Sequence, residues 1–210
     1  MKTTTRSSLR FALLLGTSAA LAFAAPASFD FKDPKGVNNV QFKLDAPLES
    51  ITGTATGISG TVSFDPANPA ATRGRIRLEA ATLTVGNPVM TDHLRGANWL
   101  DAATYPEITF EAKSLRNVRT QGAQTTGDVD GALTVRGVTR DVTVPVTFTH
   151  LPDKLGARVG DPKVKGDLLV LRAAFEINRS DFGIQPGQNT DKVAETIHLA
   201  LSIAGAAPSA

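Results

Sequence analysis

Beyond its first two dozen residues, the chain alternates apolar and polar positions in one short run after another. This is the period of two that sends successive side chains to opposite faces of a β-strand. A run at residues 29–32 and the turn Asp33-Pro34-Lys35-Gly36 lead into residues 37–44, where Val40, Phe42 and Leu44 share a face. Residues 51–64 are rich in Thr and carry Gly53, Gly57 and Gly60, which predicts bulges or close backbone approach in a sharply curved sheet. In residues 73–85, Ile76, Leu78 and Ala80 alternate with Arg75, Arg77 and Glu79, the pattern of a sheet with one wet face. Another strand starts at Ile108, Phe110 and Ala112, and the polar residues 117–127 predict a hairpin loop. Two strands, 129–135 and 138–148, meet at a tight Arg136-Gly137 turn. Val142, Val144, Val146 and Phe148 line one face of the second, and Pro145, having no N–H, is expected at an edge or a non-bonded position. Residues 151–165 predict a loop and 166–178 a long strand that is apolar on both faces at its centre. After a loop at 181–191, Ile197, Leu199, Leu201 and Ile203 share one side of a last strand at 193–203. A small-residue tail at 206–210 is expected to be flexible.

Eight or nine strands with turns between them predict one all-β, antiparallel domain over residues 25–205, either a sandwich or a closed barrel. One stretch breaks the alternation. Residues 91–110 (TDHLRGANWLDAATYPEITF) hold the only Trp, the only Tyr and one of three His, and a short helical insert is expected near residues 88–102. Gly86-Asn87-Pro88 ends the strand before it, and Pro106 biases Tyr105 to extended geometry and starts the strand after it.

The first 24 residues change the charge picture. Lys2, Arg6 and Arg10 precede an apolar run at residues 11–23, and Ala22-Phe23-Ala24 fits a small-x-small cleavage site, the arrangement of a secretory signal peptide. Cleavage is expected after Ala24, with Ala27 as the alternative, and the product is expected in a periplasm or outside the cell. Thirteen apolar residues fall short of the roughly 20 a bilayer span requires. Without that segment, 19 Lys and Arg stand against 20 Asp and Glu, so the apparent basicity belongs to the precursor. The remaining basic residues are scattered, which argues against a nucleic-acid partner. With no cysteine, the domain stands on its core alone and offers no thiolate ligand to a metal.

Candidate chemistry is sparse. None of the three His lies in a nucleophile motif, and no G-x-S-x-G is present, so no catalytic residue is assigned and a hydrolase is the least favoured reading. The three His are widely separated with no i,i+3 or i,i+4 pair, so no metal or cofactor site is expected. Eight Phe remain after the signal segment, enough to fill a sandwich core or to line a barrel just wide enough for one small ligand.

Several motifs together resemble the YceI-like family: Gly60-Thr61-Val62-Ser63-Phe64-Asp65, Asp92-His93-Leu94-Arg95 with Trp99-Leu100-Asp101, Tyr105-Pro106-Glu107-Ile108-Thr109-Phe110, the GALTVRGVTR run at 131–140, and Arg179-Ser180-Asp181-Phe182-Gly183-Ile184. The resemblance implies a lipocalin-like β-barrel that binds a polyisoprenoid or another lipid such as an isoprenoid quinone; a monomer and a homodimer stay open, and any contact with membranes is expected to be transient. It implies that Phe110, Phe148, Phe175 and Ile177 line the tunnel, with Phe182 and Leu94 beside them and Trp99 closing one end. Asp92, His93, Arg95, Arg179 and Asp181 are then the expected headgroup partners. Transfer of an isoprene unit from water yields about 4 kcal/mol at roughly 0.8 kcal/mol per carbon group, but a bilayer is as apolar as the tunnel, so occupancy must come from fit or from polar contacts at the mouth. The alternative is a stress-related protein-interaction module with a packed barrel.

Overall fold

In the computed structural model, which describes residues 26–209, the alternating stretches fold as eleven strands of one antiparallel sheet. They are β1 (Ala27–Asp30), β2 (Asn39–Asp45), β3 (Ser50–Ala55), β4 (Ile58–Phe64), β5 (Arg73–Glu79), β6 (Thr84–Val85), β7 (Glu107–Gln121), β8 (Gln124–Val135), β9 (Val138–Leu151), β10 (Gly166–Asn178) and β11 (Thr196–Pro208). The ring runs β1-β4-β5-β7-β8-β9-β10-β11 and closes where Asp30 of β1 meets Ala206 of β11. This is the expected eight-stranded barrel. The excess over eight arises because β2, β3 and β6 continue β1, β4 and β5 upward as separate segments, with β2 on β11, β3 on β2 and β6 on β3. The signal-peptide expectation falls on residues outside those described.

Each break has a local cause. Between β1 and β2 the buried Asn38 takes over the missing pairing: its Nδ2 donates to Phe31 O and Ala204 O, and its Oδ1 accepts from Ala204 N at 2.9 Å. Between β3 and β4 the chain turns at Gly57, where Ile58 N–H bonds Thr56 O at 2.7 Å, so the predicted 51–64 strand divides in two; within β4, Gly60 takes φ +126, a conformation side chains rarely allow. The Arg136-Gly137 turn has φ +49 and +73, as a tight hairpin demands. The β9–β10 ladder ends at the pair Val146–Ala173, one residue short of Pro145, where the missing N–H costs no bond to β10.

Four expectations are corrected. Residues 117–127 are not a loop: β7 and β8 pair down to Gln121–Gln124, held on their polar face by Arg116 and Ser114 on Asp130 and by Asn117 on Asp128. Residues 206–208 are not flexible tail but the end of β11, paired with residues 166–168 of β10, and the Ser209 N–H bonds Lys165 O. Within residues 151–165 a short helix, α2 (Leu155–Val159), packs on the outside of β10 and β11, which explains the second apolar face of β10 at buried Leu168. The insert is helical only over α1 (Pro88–Arg95). It stops at Gly96 because the returning chain takes its last carbonyls: Leu100 N–H bonds Leu94 O, and Ala102 N–H bonds Arg95 O.

The barrel interior has two zones. Below, Phe29, Phe31, Phe64, Leu169 and Ile203 are essentially inaccessible and form a solid plug. Above the plug, inward residues such as Phe110, Phe175, Ile177, Leu199 and Leu201 remain partly accessible although they face the barrel axis. That half is hollow.

Candidate functional site

The hollow half encloses a cavity of about 420 Å³ with an overwhelmingly apolar wall. Its side is built by period-two faces: Val40, Phe42 and Leu44 from β2, Val144, Val146 and Phe148 from β9, and Ala173, Phe175 and Ile177 from β10 opposite Leu201, Leu199 and Ile197 from β11. Gly53 lets the Phe42 ring lie against β3; a Cβ there would fall 2.1 Å from the ring. The packed-barrel alternative does not describe this interior.

Two segments form the upper end. The first is α1 and the turns after it. Asn87 caps the helix by accepting from Val89 N and Met90 N, with Pro88 at its first position. Thr91 bonds Val85 O, and Arg95 Nε donates to Leu83 O at 2.8 Å, so the helix is pinned to β6 and its flank. Residues three and four apart share a helix face, so Met90, His93 and Leu94 look into the cavity while Asp92 faces solvent and Arg95 faces the wall. Asp92 and Arg95 therefore do not line the cavity, contrary to expectation.

The second segment, residues 179–195, opens with a 3-10 turn (Arg179–Phe182). Three residues per turn put Arg179 and Phe182 on the inner side and leave Asp181 exposed outside the lining, a further correction. The Arg179 guanidinium is 1% exposed and donates to five backbone carbonyls of its own loop, those of Ile184, Gln185, Gln188, Val193 and Ala194. Glu195 Oε2 lies 3.7 Å from its Nε, and the Trp99 ring centroid 5.9 Å from its central carbon, a cation–π contact. Hydrogen bonds from Ser180, against the opposing effect of burial, and the Arg179 charge hold the Glu195 carboxyl below its usual range.

Cross-ties lock the two segments together. Gln185 Nε2 donates to Asn98 O, and Arg136 donates to both Gly183 O and Ala97 O, each at 3.0 Å. On the far side, Leu48 N–H bonds Asp191 O at 2.9 Å and joins the β2–β3 turn to the same loop. The mouth carries Glu49, His93, Asn189 and Lys192.

Nine of the twelve expected ligand-binding residues thus meet around one space: His93, Leu94, Trp99, Phe110, Phe148, Phe175, Ile177, Arg179 and Phe182. Sequence reasoning missed Met90, although its i,i+3 and i,i+4 spacing to His93 and Leu94 was a usable signal. It also missed Glu49, Asn189 and Lys192, which sit in irregular loops and reach the mouth only through long-range ties. Among the described residues, no cluster of three or more His, Cys, Asp or Glu could hold a metal, and no helix is long and apolar enough to cross a membrane.

An eight-stranded antiparallel barrel, solid at one end and hollow toward a loop-rimmed mouth, is the architecture of a calyx. The YceI-like domain matches residues 28–204, and the chain belongs to that family. A UPF0312 protein of Pseudomonas savastanoi pv. phaseolicola is 30% identical over 92% of this chain and 94% of the relative. Among solved structures, BcnA of Burkholderia cenocepacia (24% identity, TM-score 0.65) aligns over 80% of this chain and 95% of its own. A polyisoprenoid binding domain from Saccharophagus degradans, implicated in plant cell wall breakdown, shares 13% identity and a TM-score of 0.63 over 87% of this chain and 99% of its own.

Proposed function

We propose that this protein is an exported binding protein that carries or sequesters a long apolar lipid of the isoprenoid class, in a periplasm or outside the cell, and performs no chemistry on it. The observation that carries the reading is the distribution of polarity: an apolar cavity whose charged side chains gather at the mouth, while Thr72 at the other end has its hydroxyl bonded to Pro69 O. A lipid with one polar end fits that gradient in one direction only, tail toward the plug and head between α1 and residues 189–192. The polyisoprenoid binding domain from Saccharophagus degradans shares the fold, which supports the same ligand class here.

The charges at the mouth favour a neutral, hydrogen-bonding head such as a quinone over a diphosphate. Lys192 and Glu49 oppose each other in sign, and the Arg179 cation is already engaged by five carbonyls and Glu195. A multiply charged head would lose its hydration without an excess of cations to replace it. Native mass spectrometry of protein purified from its own host tests the proposal. The expected result is an adduct with the mass of an isoprenoid lipid that solvent extraction removes, and a uniformly ligand-free protein refutes it.

A further inference from the structure

The boundary between hollow and solid barrel falls on one side chain. Phe148 lines the cavity from above and is itself 2% exposed. Beneath it, its ring stacks on Phe64 with centroids 5.5 Å apart and planes 12° from parallel. Phe64 is 1% exposed, does not line the cavity, and belongs to the plug with Phe29 and Phe31. On the facing wall Val62, Gly74 and Ala112 stand in register on β4, β5 and β7 and all line the cavity, so a larger side chain at Ala112 would take up space inside it.

We infer that Phe148, backed by Phe64, is the ruler that sets the chain length this protein accepts. The inference rests on the lipid-carrying reading above. The hollow runs along β10 from Leu171 to Ile177, about 20 Å of strand, which at barrel tilt is about 15 Å of depth. A chain that fits gains contact with each added unit until its end meets the Phe148 ring. A longer one must fold back or leave apolar carbon outside the mouth. The plug cannot yield, since its rings are fully enclosed and interiors are close-packed.

The test is a length series of benzoquinones carrying one, two, four and eight isoprene units, together with the plain polyprenyl alcohols of the same lengths, on delipidated protein. Trp99, the only tryptophan, lines the cavity and reports binding through its fluorescence. Wild type should tighten with length up to a break. Phe148→Ala should move the break to longer chains, with at least tenfold gain for the first homologue that wild type rejects. Ala112→Leu should move it to shorter chains, and it carries the test alone if circular dichroism shows Phe148→Ala unfolded. An unmoved break in folded variants, or no break in wild type, overturns the ruler and leaves the lipid reading standing. Failure of wild type to bind any homologue of either series overturns both.

Discussion

Replacing Arg179 with Met isolates what a buried guanidinium does in this fold. Met keeps most of the volume but removes every donor. Five carbonyls of residues 184–194 lose their partner, and Glu195 loses the cation 3.7 Å away. A hydrogen bond to a charged group contributes roughly 1.5–3 kcal/mol, but five on one group are not additive, because water enters the vacated loop. Removing one partner of a buried ionic network costs about 3–5 kcal/mol, and we take about 4 kcal/mol here. For a domain of this size each kcal/mol lowers Tm by about 2–4 °C, so Arg179→Met should melt about 8–16 °C below wild type. Lysine should rescue little, since one ammonium cannot span carbonyls that a planar fork reaches together. Differential scanning calorimetry on ligand-free protein measures the loss, and hydrogen exchange at the Ile184 amide, bonded to Arg179 O at 3.1 Å, localises it. Arg140→Met is the control: that side chain is exposed and bonds only its neighbour's carbonyl, so it should stay within about 0.5 kcal/mol of wild type. A Tm change under about 3 °C for Arg179→Met, with affinity alone reduced, would refute the structural role and return Arg179 to the ligand.

Three further outcomes follow from the same geometry. Asp33 is held below its ordinary range, since N–H bonds from Asn38, Val37 and Lys35 and the charge of Arg158 outweigh burial, and Glu195 is held low as above. Groups whose folded pKa is depressed stabilise above their unfolded values, 3.8 and 4.5, and lose that contribution as pH falls through the folded values, so Tm should be flat from pH 7 to about 5 and fall below about 4; Asp33→Asn and Glu195→Gln should each flatten the decline. Gly205→Ala should destabilise by about 1–3 kcal/mol in urea unfolding, because its Cβ would lie 2.6 Å from the enclosed Phe31 ring, and Phe31→Leu in the same chain should recover part of the loss. Lys192→Glu makes the mouth acidic and should change quinone affinity less than threefold in isothermal titration; a loss of tenfold or more would point instead to an anionic head.

What the sequence displayed clearly was parity. The inner faces of β2, β9 and β11 read directly from Val40–Phe42–Leu44, Val142–Val144–Val146–Phe148 and Ile197–Leu199–Leu201–Ile203, because a strand's period of two survives any tertiary arrangement. Parity says which residues point inward, not whether the space between them is filled. Phe148 and Phe175 belong to the same kind of pattern, yet one seals a plug and the other faces a void. The polar run 117–127 was misleading because ladder bonds are made by backbone, and its charged side chains pair across the outer face. Residues 206–208 looked unanchored because Ala and Pro have little to pack, while their backbone pairs with β10. Asn189 and Lys192 had no pattern to betray them: their place depends on one arginine gathering carbonyls up to 15 residues away.

That dependence divides the labour at the mouth. Arg179 lies against the cavity and under Trp99, the position a headgroup cation would take, but its donors are committed to holding residues 184–194 over the barrel. The rim side chains are therefore presented by a frame that does not need the ligand to exist. For the proposed lipid carrier such preorganisation matters, because the competing solvent for the tail would be a bilayer, against which an apolar cavity gains almost nothing per carbon. A flexible rim would have to be ordered at the cost of about 0.5–1.5 kcal/mol for each side chain it immobilises, with no surplus from the tail to offset it. On the proposed lipid-carrying reading, with the rim fixed by Arg179 and the floor by Phe148, selection reduces to two separable quantities, the polarity of the head and the length of the tail. A variant at one end should then leave preference at the other unchanged: Lys192→Glu should not move the chain-length break, and Phe148→Ala should not alter the ranking of quinone against alcohol at a matched length. Titration of both series on the double variant checks this, and coupling above about 1 kcal/mol between the two ends would show that the ligand, not the frame, organises the mouth.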